Sequence, residues 1–271
     1  MNQAQRGTLA VEPVGQDPAA GGKVLPVLHG IFGRGRNWSS LARALAARRP
    51  DWTPLLVDLR LHGDSTAFEP PHTIQAAARD VIDTLDRPID AVLGHSFGGK
   101  VALALAGDLE RARQVWIVES SPDARQPGGS AWQLLQTVTA LPASFASRGE
   151  LVERLRAGHV DQRTAQWMAS NLESVSGDVY RWRLDLDAVQ ELLEDFFRRD
   201  LWSLVETPPG DVHLHFVKAE DSTTIDEEAC RRILAAGQRH GRASLHRVAG
   251  GHWVNADDPD ALLGLLVEHL P

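Results

Sequence analysis

The chain has 271 residues, of which 43% are apolar and 24% charged, and its formal net charge is −8. This length allows one α/β domain with an insertion, and the composition is that of an ordinary soluble protein. The negative charge argues against a nucleic-acid or anionic-membrane partner. The polar N-terminus and the absence of a long apolar run predict a cytoplasmic protein without a signal peptide or membrane span. The single cysteine, Cys230, excludes an intrachain disulfide and a thiolate metal site.

Apolar strands alternate with amphipathic helices in the first part of the chain. Residues 1–22 read as a loose N-terminal segment with a possible edge strand at 8–14. The spacing of apolar residues then predicts strands at 23–28, 52–59, 89–93 and 114–119, and helices at 37–48 and 73–85. This alternation predicts a parallel sheet with helices on both faces.

The alternation stops after Pro122. Residues 124–207 show helical periodicity only, which predicts a helical cap inserted into the sheet domain. The sheet resumes with strands at 212–217 and 243–248 and helices at 226–240 and 259–269. We therefore expect residues 23–123 and 208–271 to form one α/β core around the cap.

The most informative motif runs from Gly94 to Gly98 in the pattern Gly-x-Ser-x-Gly. An apolar strand precedes it and a helical pattern follows, which is typical of a nucleophile elbow. The two glycines let the backbones pass closely, and the turn presents the Ser96 hydroxyl above a helix N-terminus, where negative charge is favoured. A glycine-rich turn that only packs or binds an anion is the alternative.

A serine hydroxyl needs a base, an orienting carboxylate and oxyanion donors before it can act as a nucleophile. His252 is the candidate base among 11 histidines, because it follows the last predicted strand in a Gly-Gly-His-Trp loop. The backbone N–H groups of Phe97 and Ile31 are the candidate oxyanion donors. The glycine-rich run after His29 suits a loop whose backbone faces a ligand, and it lacks the Lys-Ser/Thr of a phosphate-binding loop.

Several polar residues fall where predicted parallel strands end, which is the edge where such sheets place their sites. These residues are His29, Asp58, Ser96 and Glu119. We expect His29, Phe32 and Trp253 to line a substrate pocket there. His213 and His215 share one strand face, but no third ligand accompanies them, so packing roles are favoured over a metal site.

Four segments together resemble the α/β-hydrolase superfamily: residues 29–30, 57–65, 94–100 and 250–253. Residues 180–186 are similar to the small-esterase branch that includes bacterial YbfF-type and mitochondrial abhydrolase-11-type esterases. The resemblance covers about residues 24–270. It implies the α/β-hydrolase fold, with a mostly parallel central sheet, helices on both faces and an inserted helical cap. It also implies chemistry without a cofactor or metal.

The resemblance leaves two candidates for the orienting acid. In most members of the superfamily, the acid follows the strand after the cap in a Gly-x-x-Asp turn. Here Ala219 replaces the glycine, Ser222 stands where the acid is expected, and Asp221 lies one residue early. The esterase branch can use a carboxylate after the preceding strand instead, and that position is Glu119. We favour Glu119 and keep Asp221 as the alternative.

Together these residues predict a serine hydrolase that acts on a small-molecule acyl ester or thioester. Ser96 would form an acyl-enzyme with His252 as general base. Other reactions of the fold remain open, including lactone or C–C bond hydrolysis, a lyase step and cofactor-free peroxidation. A ligand-binding homologue without turnover is also open. We expect a monomer or homodimer with no nucleic-acid or membrane partner.

Overall fold

The computed structural model describes residues 7–16, 21–109, 113–177 and 179–271, so parts of the predicted N-terminal segment lie outside the described residues. The described strands are β1 (Val11–Pro13), β2 (Lys23–Leu28), β3 (Trp52–Val57), β4 (Ala91–His95), β5 (Gln114–Val118), β6 (Ser144–Phe145), β7 (Leu172–Ser176), β8 (Val179–Trp182), β9 (His213–Ala219) and β10 (Ala243–Val248). The described helices are α1 (Ser39–Arg48), α2 (Ile74–Leu85), α3 (Phe97–Leu105), α4 (Gly129–Thr139), α5 (Arg148–Ala157), α6 (Gln162–Ala169), α7 (Leu186–Arg198), α8 (Trp202–Glu206), α9 (Glu227–His240), α10 (Val254–Asp257) and α11 (Pro259–His269). None of these helices has the combined length and apolarity of a membrane span.

The main sheet of the described residues has the strand order β1-β3-β2-β4-β5-β9-β10. β1 pairs antiparallel with β3, and the other pairs are parallel. The register aligns the strand ends, since Leu28 lies opposite Gly94, His95 opposite Val118, and Val118 opposite Val217. The segments that follow these strands therefore leave the sheet at one edge. This arrangement confirms the predicted mostly parallel α/β sheet.

Both faces of the sheet are buried, which explains why its central strands read as continuous apolar runs. Along β5, Val115 and Ile117 belong to one apolar cluster, and Trp116 and Val118 belong to another. Successive side chains of a strand point to opposite faces, so the two clusters lie on opposite sides of the sheet. The cluster around Trp116 includes residues of α1 and α11. The other cluster includes residues of α2, α3 and α9 and of the segment between β5 and β9.

The segment between β5 and β9 contains helices α4 to α8, in line with its helical periodicity. It also contains a three-stranded antiparallel sheet in the order β6-β8-β7, which the sequence did not predict. These strands have two to five residues and are largely exposed, so their apolar pattern is too short to detect. The expectation of helices alone was therefore incomplete. We call residues 124–207 the cap segment.

Lys100, on α3, anchors the cap segment to the core. Its buried ammonium donates to three backbone carbonyls, and burial lowers its pKa to about 7. The acceptors are Asp123 O at 2.7 Å, Phe196 O at 2.8 Å and Arg199 O at 3.0 Å. Two of these carbonyls lie at the C-terminal end of α7, where a cation offsets the unpaired acceptors of the last turn.

Candidate active site

Ser96 occupies the sharp turn between β4 and α3. Its backbone has φ 53° and ψ −116°, a conformation that non-glycine residues rarely adopt and that clusters at functional sites. The turn is tight enough that a Cβ on Gly94 would lie 1.9 Å from Gly98 O, and one on Gly98 would lie 2.4 Å from Leu28 O. The geometry is that of a nucleophile elbow, with the serine at a helix N-terminus.

His252 lies in the loop after β10, beside a buried carboxylate at the end of β5. Its Nδ1 is 3.1 Å from Glu119 Oε2 and 3.2 Å from Thr224 Oγ1. A proton on Nδ1 is therefore held by Glu119, which leaves Nε2 with a lone pair. His252 and Ser96 line the same cavity. The hydroxyl and the imidazole that a serine hydrolase pairs thus border one cavity.

Glu119 is completely buried, yet its surroundings favour the ionised form. Burial raises its pKa, but hydrogen bonds from His252, the Ser222 hydroxyl and the Ala219 N–H lower it, and the net pKa is below the ordinary value. The Ala219 N–H lies 2.7 Å from Oε1. Ser222, at the position where the sequence pattern expects an acid, thus lies beside a carboxylate that comes from the neighbouring strand.

Asp221, the other candidate acid, is exposed, and its backbone N–H donates to Gly250 O at 3.0 Å. Among the hydrogen bonds of the described residues, the carboxylate partner of His252 is Glu119. The structure thus brings Glu119 to His252 and leaves the Asp221 side chain at the surface.

Two backbone N–H groups are available to face a developing oxyanion. Phe97 is the first residue of α3, so its N–H has no partner within the helix. In the loop after β2, the Phe32 N–H donates to His62 Nε2 at 3.0 Å and the Gly33 N–H donates to Gly30 O at 2.9 Å. The hydrogen bonds of the described residues leave the Ile31 N–H unused.

The histidines behind this loop are neutral. His29 accepts from the Leu59 N–H at Nε2 (3.0 Å) and donates from Nδ1 to Gly30 O (2.8 Å). Burial lowers the pKa of His29 well below its ordinary value and that of His62 to about 4. Both rings therefore act as fixed hydrogen-bonding groups near neutral pH, with no added charge beside the site.

A cavity of about 440 Å³ lies between the core and the cap segment, within the range of about 300–1,000 Å³ typical of small-ligand pockets. Ser96 and His252 line it, and so do His29, Phe32 and Trp253, the three residues expected to form the pocket. The cap segment contributes Ser130, Ala131, Gln133, Leu134, Thr137, Gly158, His159, Val160, Asp161, Thr164 and Trp167. The lining contains no lysine or arginine among the described residues.

Comparison with known proteins identifies the family. Residues 27–265 match the model of the Alpha/beta hydrolase family. The chain is a member of the α/β-hydrolase family. The matched range includes the elbow, Glu119 and His252.

Curated relatives of this α/β-hydrolase include esterases and lipases. The sn-1-specific diacylglycerol lipase ABHD11 of Xenopus tropicalis is 30% identical over 257 residues, which are 89% of this chain and 76% of the relative. Esterase YbfF of Escherichia coli is 28% identical over 253 residues, or 90% of this chain and 91% of that one. The resemblance to the small-esterase branch is thereby confirmed.

Solved structures agree on the fold of this hydrolase. A marine microorganism esterase superposes with a TM-score of 0.81 at 22% identity, covering 97% of this chain and 100% of its own. The thioesterase domain from the curacin biosynthetic pathway superposes with a TM-score of 0.70 at 20% identity, covering 96% and 95%. At these identities the likeness concerns the fold alone.

Sequence reasoning did not predict the contacts that two residues make with His252. His95 donates from Nε2 to the His252 carbonyl at 2.7 Å, and burial lowers the pKa of His95 to about 3, so the ring is neutral. Thr224 contacts the His252 imidazole directly. The position of His95 beside Ser96 in the elbow motif was a usable signal, whereas a threonine in a loop gives none.

The histidine pair on β9 packs within the hydrolase core. His213 Nε2 lies 2.8 Å from Ser244 Oγ, and His215 stacks on Trp116 with ring centroids 4.1 Å apart. In the described part of the chain, no group of three or more His, Cys, Asp or Glu side chains is arranged to hold a metal ion. The positions of these rings are those of packing residues.

Proposed function

We propose that this protein is a serine hydrolase that cleaves carboxylic esters through an acyl-enzyme on Ser96. The observation that carries the proposal is the contact of 3.1 Å between His252 Nδ1 and Glu119 Oε2, beside a serine held at positive φ in the same cavity. Stability alone does not explain a buried carboxylate beside an imidazole. Two apolar side chains of similar volume would fill the same space without the free-energy cost of desolvating a charge.

In the proposed reaction, His252 Nε2 takes the hydroxyl proton as Ser96 Oγ bonds to the acyl carbon. The N–H groups of Phe97 and Ile31 hold the negative charge that forms on the carbonyl oxygen. Collapse of the tetrahedral intermediate breaks the ester C–O bond, and His252 gives its proton to the leaving alcohol. A water molecule then attacks the acyl-enzyme with His252 again as base, which releases the acid and restores Ser96.

The lining of the cavity favours an uncharged ester over an acyl group carried by a phosphorylated thiol. Near the nucleophile the walls are apolar, with Ile31, Phe32 and Trp253, and the described lining offers no cationic side chain to a phosphate. The relatives named as a diacylglycerol lipase and an esterase support a neutral carboxylic ester as substrate. Thioesters of small uncharged thiols fit the same site. The cap segment, which forms the far wall, would set the length of the acyl chain.

The test is hydrolysis of p-nitrophenyl esters of increasing chain length by the wild type and by Ser96→Ala. Labelling with a fluorophosphonate probe is measured in parallel, and circular dichroism checks the fold of the variant. We expect turnover and labelling by the wild type and neither by Ser96→Ala. A wild-type protein that binds esters but is neither labelled nor active would instead be a ligand-binding homologue.

A further inference from the structure

Asn171, in the cap segment, reaches into the core and holds the loop that carries the Ile31 N–H. Its side chain is 1% exposed, and Nδ2 donates to Phe32 O at 2.9 Å. The backbone of Asn171 is itself fixed, since its N–H donates to Met168 O and its C=O accepts from the Arg183 N–H, both at 2.9 Å. A well-anchored residue of the cap thus contacts the backbone beside the reacting groups.

The contact continues through two peptide groups to the Ile31 N–H. The C=O of the Phe32–Gly33 peptide accepts from Asn171, and the N–H of the same peptide donates to Gly30 O at 2.9 Å. Gly30 O belongs to the peptide whose N–H is that of Ile31. In a trans peptide the C=O and N–H point in opposite directions. Fixing Gly30 O on the protein side therefore directs the Ile31 N–H toward the opposite side.

The loop needs this support because its backbone is in an unfavourable conformation. Phe32 has φ 63°, in the left-handed region that a side chain with a Cβ disfavours. Hydrogen bonds hold both of its polar groups, the N–H by His62 Nε2 and the C=O by Asn171. Without the bond to Asn171, the buried carbonyl of Phe32 would lose its donor and the loop could relax to an ordinary conformation.

Trp167, close to Asn171 in sequence, packs the same part of the cap segment against the loop after β2 and the loop after β10. Its ring lies edge-on to Phe32, with centroids 6.4 Å apart, and edge-on to Trp253, next to the base, at 4.7 Å. Packing by Trp167, together with the hydrogen bond from Asn171, therefore holds this part of the cap segment against the loops around Ser96.

We infer that Asn171 is a positioning residue for the reaction, so that the cap segment helps to build the oxyanion-binding site in addition to covering the substrate. The inference rests on the proposed function. The chain of bonds from Asn171 also polarises each peptide in turn, which strengthens the Ile31 N–H as a donor. Removing Asn171 should weaken binding of the transition state more than binding of the substrate.

The test uses Asn171→Leu, which fills the site without a donor, and Asn171→Asp, which turns a carboxylate toward the Phe32 carbonyl. For each variant, kcat and KM are measured with a p-nitrophenyl ester, and the Ki of a trifluoromethyl ketone is measured separately. The adduct of this ketone with Ser96 carries an oxyanion, so its affinity reports on the oxyanion donors. We expect kcat and ketone affinity to fall together by roughly ten-fold, less than the 10²–10³ that follows loss of a donor itself. KM should change by less than about two-fold.

Asp195→Ala is the matched control, because Asp195 is also a buried cap residue that accepts a core N–H, that of Ile74 at 2.9 Å, which belongs to α2 and not to the loop after β2. This control should lower the Tm and leave ketone affinity unchanged. If Asn171→Leu does not fold, Asn171→Ser, too short to reach Phe32, replaces it. Unchanged ketone affinity in the Asn171 variants overturns the inference, whatever their Tm. Full activity of Ser96→Ala would overturn the proposed function instead.

Discussion

Replacing Glu119 by Gln is the sharpest test of how the base is oriented. The carboxylate accepts from two directions, from His252 at Oε2 and from the Ala219 N–H at Oε1. Glutamine has only one acceptor oxygen. The backbone N–H of Ala219 cannot move, so the amide oxygen turns to it and the amide NH₂ faces His252 Nδ1. The imidazole then accepts at Nδ1 and carries its proton on Nε2, where it cannot take the proton of Ser96.

The structure gives the size of the expected loss. Glu119 is completely buried, so water cannot substitute for the lost acceptor, and the wrong tautomer dominates. A wrong tautomer of a catalytic imidazole lowers kcat by on the order of 10³–10⁴, which corresponds to about 4–5.5 kcal/mol of transition-state stabilisation. Because Glu119 is not itself among the residues that line the cavity, KM should change little.

The assay is steady-state hydrolysis of a short p-nitrophenyl ester by Glu119→Gln, with Asp221→Asn as the matched control. Asp221 lies at the surface, so its variant should keep the wild-type kcat. A Glu119→Gln protein with nearly full kcat, beside an inactive Asp221→Asn protein, would refute the reasoning and assign the acid to Asp221.

Three further predictions concern stability. Lys100→Met should lower the free energy of unfolding by about 3 kcal/mol, because three buried or partly buried carbonyls lose their donor; a urea midpoint equal to that of the wild type would contradict this role. Gly94→Ala and Gly98→Ala should give no soluble folded protein, since each added Cβ would lie within 2.4 Å of a backbone oxygen, and a soluble yield like that of the wild type would count against the elbow geometry. Burial lowers the pKa of His215 to about 2, so its unfolded form binds a proton near pH 6.5 and the folded form does not. The contribution of His215 to stability is therefore full above pH 6.5 and is lost as the pH falls, by roughly 2 kcal/mol at pH 5. His215→Phe, which keeps the stack on Trp116, should lose less stability than the wild type over this pH range in thermal unfolding.

The family and the core fold were readable from the sequence because their signals are local. The alternation of buried strands and amphipathic helices predicted the sheet. The helix predicted at 73–85 is α2, and the Thr73 side chain caps it by accepting from the Ala76 N–H. The elbow motif was equally visible, since only glycine fits at Gly94 and Gly98 when the backbones pass so closely. Candidates for nucleophile, base and oxyanion donors could be named on the same basis.

Tertiary structure alone placed the Glu119 carboxylate, and not that of Asp221, beside His252, and it supplied the contacts from the cap segment. Glu119 and His252 are 133 residues apart, and only the pairing of β5 with β9 and of β9 with β10 brings their loops together. The three-stranded sheet of the cap segment and the contact from Asn171 to Phe32 likewise join parts of the chain far apart in sequence. Local patterns of hydrophobicity and turn-forming residues determine where helices and strands form. A hydrogen bond between distant loops depends instead on strand register and side-chain packing, which no short stretch of sequence specifies.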